Sequence, residues 1–350
     1  MSEQDLQNLL MRLVGRELFG LRMEDFPCPL SSDEDWRTFR LMATSQRVAA
    51  IAWDSLQSLG WVDAMDGDEK VFWGVVVQDV ETHHALVTKV AAALTGFVKS
   101  SGYKFRLLKG LVLASIYPVP QHRQFSDIDI YLPDRPEEVE ALVATKFSAT
   151  IEHGFNHHDK TQIGGVSVEL HRYFFNQAKY ASNRILQQRL DDLYSDEKTK
   201  KTADLLFLLR HAGSHFVSAE LWLLNMTDVG RHIMAYGSQI DFAKAREVAT
   251  ECGFDRWYDV IISFLTSYMG FVPGFDVCAR DVDALLMERV RDSIFRPAYT
   301  ADEREGQSKL VLTGWFVSNR WKNKIVFARD SFALVYLRTI LFWVKRNSNK

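Results

Sequence analysis

Cysteine is scarce: Cys28, Cys252 and Cys278 are the only three in 350 residues, far apart and in no CxxC spacing. That argues against a disulfide framework and against a structural zinc site. No run of eighteen or more apolar residues occurs, so no membrane-spanning helix is predicted. The nearest approach, SFALVYLRTILFWVKR near the end, is interrupted by Arg338. Its helical apolar spacing favours a face packed on the core; the alternative is weak contact with a membrane surface through the same face flanked by Arg338, Lys345 and Arg346. Basic excess is absent too: 42 Lys and Arg stand against 45 Asp and Glu, a net charge of -3. Such a balance exerts no global pull on nucleic acid or anionic lipid, so a polyanion must be met by a local patch. The opening MSEQDLQNLLMRLVGRELFG has early acids and no leader pattern, which predicts a mature cytoplasmic start. Fixed-period repeats and low-complexity tracts are missing.

What is present is ordinary globular composition, 47% hydrophobic and 25% charged. The length fits two or three domains, or one core with large helical additions. The pattern changes twice, which divides the chain into an N-terminal helical region (1–102), a small α/β core (103–180) and a C-terminal helical domain (181–350). The expected fold class is α+β, a small mixed sheet between extensive helical regions. In the first region SSDEDWRTFRLMATSQRVAAIAWDSLQSLG reads as one helix, with Ser31 and Glu34 as a capping box and Gly60 beyond its end. A second helix closes on Gly102. KFRLL, DIDIYL, SATIEHGF and GGVSVELHRYFF read as strands, the last two paired through Gly164-Gly165, and RPEEVEALVATKF as a helix opened by Pro136. RPAYTADEREGQSKL, with Pro297 and Gly306, reads as a loop.

The chemistry is concentrated in LLKGLVLASIYPVPQHRQFSDIDIYLP. On a strand, Asp127 and Asp129 project to one side while Ile128 and Ile130 project to the other. Two carboxylates so close repel, and a divalent cation resolves the conflict; Mg²⁺, or Mn²⁺ in its place, suits one or two carboxylates together with substrate phosphates. Glu169 alternates with Val168 and Leu170 on a later strand and is the natural third acid. Three acids on neighbouring strands can hold two metals about 3.5–4 Å apart, the arrangement for displacement at phosphorus. Lys109-Gly110 lies where a strand hands over to a helix: Gly110 lets backbone approach a phosphate, and Lys109 supplies a point charge. Arg123 either forks onto a phosphate or pairs with Asp127 or Asp129. Ser126 either donates to phosphate or caps the turn into the strand. These groups converge on polyphosphate.

At these positions the sequence resembles the bacterial group described as uncharacterised nucleotidyltransferases, within the DNA polymerase β-like superfamily. The resemblance rests on Leu108-Lys109-Gly110, Tyr117, Pro120, Arg123, Asp127-Ile128-Asp129 and Val168-Glu169-Leu170-His171, and extends to His215, Trp222 and Asp228; it covers roughly residues 95–270. It implies a mixed sheet whose Asp pair and third acid bind metal and transfer a nucleotidyl group from NTP to an acceptor with release of pyrophosphate. The wider superfamily follows its turn glycine with Gly or Ser, whereas Leu111 follows Gly110 here, which alters the expected triphosphate contacts. The acceptor, whether small molecule, protein or RNA, is left open. Two other classes remain: a catalytically silent nucleotide- or protein-binding module, and a toxin–antitoxin or defence-associated protein of the same fold.

Other polar residues carry plainer expectations. His171 is read as a hydrogen-bonded structural histidine or as a group orienting Glu169. His157-His158-Asp159 is read as a solvated turn, since adjacent positions point apart. Arg210 and His215 have the R-x4-H spacing of HEPN-type ribonucleases, a spacing that arises by chance in helices. Trp222 is expected in the core, and Asp228 in helix packing or lining the substrate.

Overall fold

The computed structural model describes residues 1–23, 26–154, 157–296 and 309–348. Helix α1 (Glu3–Phe19) is opened by Ser2, whose side chain accepts the Asp5 N–H while Asp5 accepts the Ser2 N–H. The next helix is opened by Ser32, which accepts the Asp35 N–H, rather than by the expected pairing of Ser31 with Glu34. The single helix expected to reach Gly60 is two, α2 (Asp33–Ser45) and α3 (Ala49–Ser58). The break falls at Arg47, whose φ of 59° lies in the left-handed region, a conformation that costs an L-residue roughly 1–2 kcal/mol. Helix α4 (Gly67–Ser100), capped by Asp66, ends before Gly102 as the sequence predicts.

The sheet is four-stranded and mixed, as expected: β1 (Arg106–Leu108), β2 (Asp127–Tyr131), β3 (His158–Ile163) and β4 (Val166–His171), in the order β1-β2-β4-β3. Strand β2 runs antiparallel to β1 and parallel to β4, and β4 is antiparallel to β3. Helix α5 (Gly110–Ala114) follows β1, and α6 (Pro136–Phe147) lies in the connection from β2 toward β3. The Gly164-Gly165 turn is real and has positive φ at both residues, but the strand before it is HDKTQI. SATIEHGF supplies only an isolated bridge, Glu152 to Lys160, in its described part. One sheet face is closed by α4 and α6: Val87, Val90, Ala91 and Leu94 of α4 and Val139 and Val143 of α6 share a core with Ile128, Ile130, Val168 and Leu170. Burying each such aliphatic side chain contributes ~1.5–3 kcal/mol. The opposite residues of β2 and β4 project from the other face.

The C-terminal helices follow the predicted periodicity: α7 (Ser182–Ser195), α8 (Lys200–Ser218), α9 (Leu223–Tyr236), α10 (Phe242–Cys252), α11 (Asp255–Met269) and α12 (Ala284–Phe295), then Lys309–Ser318, Arg320–Val326 and Phe332–Ser348. The loop expected around Pro297 and Gly306 lies outside the described residues. The chain divides into two compact units, Met1–Tyr173 with Trp222–Ala235 and Phe264–Val272, and Phe174–Leu221 with Tyr236–Ser263 and Pro273–Lys350. The units are interleaved, so residues 102 and 180 mark changes of pattern rather than the edges of these units.

Within the second unit Arg210 is fully buried, donating to Asn183 at 2.9 Å and to the Val326 carbonyl and Ser182 Oγ at 2.5 Å each, against the Phe327 ring. Burial lowers its pKa to about 10. A core arginine of this kind cannot meet an RNA phosphate, so the R-x4-H spacing has a structural explanation. No helix among the described residues is long and apolar enough to cross a membrane. In the last helix Val335 is buried, while Leu334, Leu337 and Leu341 are exposed.

Candidate active site

Register fixes the acids. On the parallel pair β2/β4, Asp127 stands opposite Ser167 and Asp129 opposite Glu169. Because side chains alternate, all three acids use the face that the aliphatic core leaves open. Leu108, the last residue of β1, pairs with Asp129, so Lys109 leaves the strand beside the acids. Lys109 and Gly110 both have positive φ, 52° and 42°, and the turn brings the Lys109 Nζ to 2.9 Å from Asp129 Oδ1. A Cβ at residue 110 would meet the Asp127 carbonyl at 3.7 Å, ordinary contact. Glycine is needed there for its backbone conformation rather than for space.

Basic groups compensate the acids. His171 Nε2 lies 3.0 Å from Asp129 Oδ1 and 3.4 Å from Glu169 Oε2. Lys160, opposite Glu169 on β3, places Nζ 2.6 Å from Glu169 Oε1. The pKa shifts follow. Burial would raise Asp129, but Lys109 and His171 outweigh it and its pKa is lowered. Burial opposes ionisation of Glu169 too, yet His171, His158 and Lys160 hold its pKa well below the carboxylate range. At Asp127 the charges of Lys109 and Arg47 are outweighed: burial first, then the Asp129 charge, push it up to about 6. Burial would lower Lys109 and His171, and the neighbouring acids raise both.

Asp129, Glu169 and His171 each bring a ligand atom within 4.8 Å of the others. Asp129 and Glu169, with Asp127 on the same face, form an oxygen donor set that fits Mg²⁺ or Mn²⁺, and the His171 Nε2 bonds to two of these acids. Lys109 and Lys160 supply the compensating charge in this arrangement.

Arg123, expected at a phosphate or at Asp127 or Asp129, is buried and forks onto Asp228: Nε to Oδ1 at 2.7 Å and Nη2 to Oδ2 at 2.6 Å. Its third nitrogen donates to the Gly110 carbonyl at 3.3 Å. Tyr117 donates to Asp228 Oδ1 at 2.7 Å and lies 3.0 Å from Thr227 Oγ1. Tyr117, Arg123 and Asp228 thus form one buried polar frame behind the Lys109-Gly110 turn. Ser126 is exposed at the lip of a cleft of about 360 Å³, lined also by Asp79, Val80, His83 and His84 of α4 and by Arg123–Phe125.

Sequence reasoning missed three groups here. Lys160 and His158 were legible in principle: a two-residue Gly164-Gly165 turn puts Lys160 opposite Glu169 and His158 opposite His171. His157-His158, expected to be a solvated turn, instead packs its rings against His171 at 5.3 and 4.9 Å between centroids. Arg47 had no signal. Its guanidinium lies 3.6 Å from the Trp222 ring centroid, and its charge lowers the Asp127 pKa. Gln46 Oε1 accepts the Leu223 N–H at 3.0 Å, which fixes this turn against the start of α9.

The sheet thus carries an acid pair on one strand and a third acid opposite on its parallel neighbour. The family model for uncharacterised nucleotidyltransferases matches residues 32–270, and the chain belongs to that family. No curated protein and no solved structure matches the sequence. The matched span contains α2 through α11, and with them Arg47, all three acids and Asp228.

Proposed function

We propose that the protein is a metal-dependent nucleotidyltransferase that moves a nucleoside monophosphate from NTP to an acceptor. The observation carrying this reading is the pairing of Asp129 with Glu169 across β2 and β4, with Lys109 on one side and Asp127 one step along the strand. Asp127, Asp129 and Glu169 would hold Mg²⁺ or Mn²⁺, which would screen the triphosphate charge and favour an ionised acceptor oxygen. The Lys109 ammonium, 2.9 Å from Asp129, would be placed to meet a phosphate oxygen. Gly110 gives the phosphates access to backbone N–H groups, and Arg123 holds that turn through the Gly110 carbonyl. Ser126, at the lip, donates to phosphate. The acceptor oxygen attacks the α-phosphorus, its proton passes to a carboxylate on the acid face, the bond to the bridging oxygen breaks, and pyrophosphate leaves.

The cleft beside Ser126 offers room for a small acceptor or a protruding side chain. A second reading, nucleotide binding without turnover, draws support from Lys109, Lys160 and His171, which already neutralise the acids. Weak membrane contact would use the exposed Leu334, Leu337 and Leu341.

Pyrophosphate release and thermal shift, measured with each NTP and Mg²⁺ or Mn²⁺ for the wild type and for Asp127→Asn/Asp129→Asn, separate these readings. Release and stabilisation in the wild type alone support transfer. Stabilisation without release supports the silent module, and equal behaviour of both proteins removes the acids from the site.

A further inference from the structure

Beside the acid face lies a second cluster, which shares His171 with it. His157 and His158 at the start of β3 and His171 at the end of β4 each bring a ring nitrogen within 4.8 Å of the others. The backbone builds the cluster: His158 pairs with His171 in the hairpin register, and the Arg172 and Tyr173 N–H groups both donate to the His157 carbonyl. His157 Nε2 and His158 Nδ1 are 3.2 Å apart. Two imidazole ligands on one tetrahedral ion are separated by ~3.3 Å, given metal–nitrogen bonds of about 2.0–2.1 Å.

The two nitrogens of His171 face different chemistry. Nε2 faces Asp129 and Glu169, both acceptors, and therefore carries a hydrogen. Nδ1 is buried and has no hydrogen-bond partner among the described residues, in a side chain only 4% exposed. His157 Nδ1 is likewise buried without a partner. Burying such a polar atom unpaired costs ~1–3 kcal/mol. A carboxylate bonded to one imidazole nitrogen, with the other nitrogen left for an ion, is the usual outer-shell arrangement around metal-bound histidine.

We propose that His157, His158 and His171 form a site for a transition-metal ion of the zinc or cobalt type, separate from the carboxylate site for Mg²⁺ or Mn²⁺ and joined to it through the His171 ring. Three imidazoles favour such ions over Mg²⁺, which prefers oxygen. An ion on this side of His171 fixes the ring orientation on which Asp129 and Glu169 depend. Occupancy therefore tightens the acid site without contributing a ligand to it.

The test is titration of EDTA-treated full-length protein with Zn²⁺ by calorimetry and with Co²⁺ by visible absorption, both in excess Mg²⁺. The expected result is one ion per chain, with the absorption of tetrahedral cobalt bound to nitrogen. A His157→Gln/His158→Gln double variant should lose affinity by at least 100-fold, while Asp127→Asn stays within a few-fold of wild type. Far-ultraviolet dichroism and melting of the metal-free variants confirm that they fold. Absence of Zn²⁺ binding in the wild type, unchanged binding in the double histidine variant, or equal loss in Asp127→Asn would each overturn the proposal. None of these outcomes depends on whether nucleotide is turned over.

Discussion

Asp129 and Glu169 face one another on adjacent parallel strands and share the single Nε2 of His171, at 3.0 and 3.4 Å. Asp127, two residues before Asp129, shares their face but not this compensation.

Asparagine at the two aspartates should therefore have opposite effects on stability. The Asp127 pKa in the folded chain, about 6, lies above its ordinary value, so its ionised form disfavours folding and stability falls as pH rises through that range. At pH 7 in EDTA, Asp127→Asn should stabilise by about 1–2 kcal/mol after allowance for screening. Asp129→Asn strips Lys109 and His171 of a partner and should cost about 3 kcal/mol. Both should abolish pyrophosphate release. Urea midpoints read alongside turnover check the pair; a destabilised Asp127→Asn would contradict it.

The buried fork of Arg123 on Asp228 should behave as a structural unit. Arg123→Met or Asp228→Leu alone leaves a buried charge uncompensated, at a cost of about 3–5 kcal/mol. The double variant should recover part of that loss, and a double-mutant cycle on unfolding midpoints measures the coupling.

Arg47, partly exposed over Trp222 and close enough for Asp127 to feel its charge, is expected to meet the triphosphate. Arg47→Gln should raise the KM for NTP about tenfold, the effect of losing ~1.4 kcal/mol of binding, with little change in kcat or melting temperature. An unchanged KM would assign Arg47 to packing alone.

His122 sets a pH dependence away from the acids. It lies 2.7 Å from Asp54 and 3.1 Å from Glu81; burial would lower its pKa, but these two carboxylates raise it. The folded state thus keeps the proton to higher pH than the unfolded state does. Its contribution is complete below the unfolded pKa of about 6.5 and is lost as pH rises through the folded value. Wild type should lose more stability than His122→Gln between pH 6 and pH 8.5, as read from denaturant midpoints.

The acids were legible because alternation on a strand is a strict geometric rule: DIDI puts Asp127 and Asp129 on one face, VEL puts Glu169 opposite its aliphatic neighbours, and the β2/β4 register brings the two faces together. Lys109-Gly110 was legible as a turn, and the structure seats it next to Asp129. The strand before Gly164-Gly165 was misplaced because SATIEHGF has the better β pattern, while HDKTQI forms a strand through its pairing with β4. The break at Arg47 left no trace, since MATSQRVAAIAW keeps helical spacing without Gly or Pro. Asp228 was read as packing or lining a substrate, but its bond to Arg123 joins residues 105 positions apart, a distance that local pattern does not encode.

That long reach bears on how the chain is made. A nascent chain that has emerged only to residue 180 already carries all three acids and Arg123 but not the carboxylate of Asp228. At ~5–20 residues per second, the partner arrives roughly 2–10 s later. Over that interval the turn at Gly110 has no frame behind it, and the first unit is complete only when Phe264–Val272 has followed. Early termination should thus yield a sheet with a stranded arginine, and the unit that carries the three acids can be finished only after much of the C-terminal helical region has been synthesised.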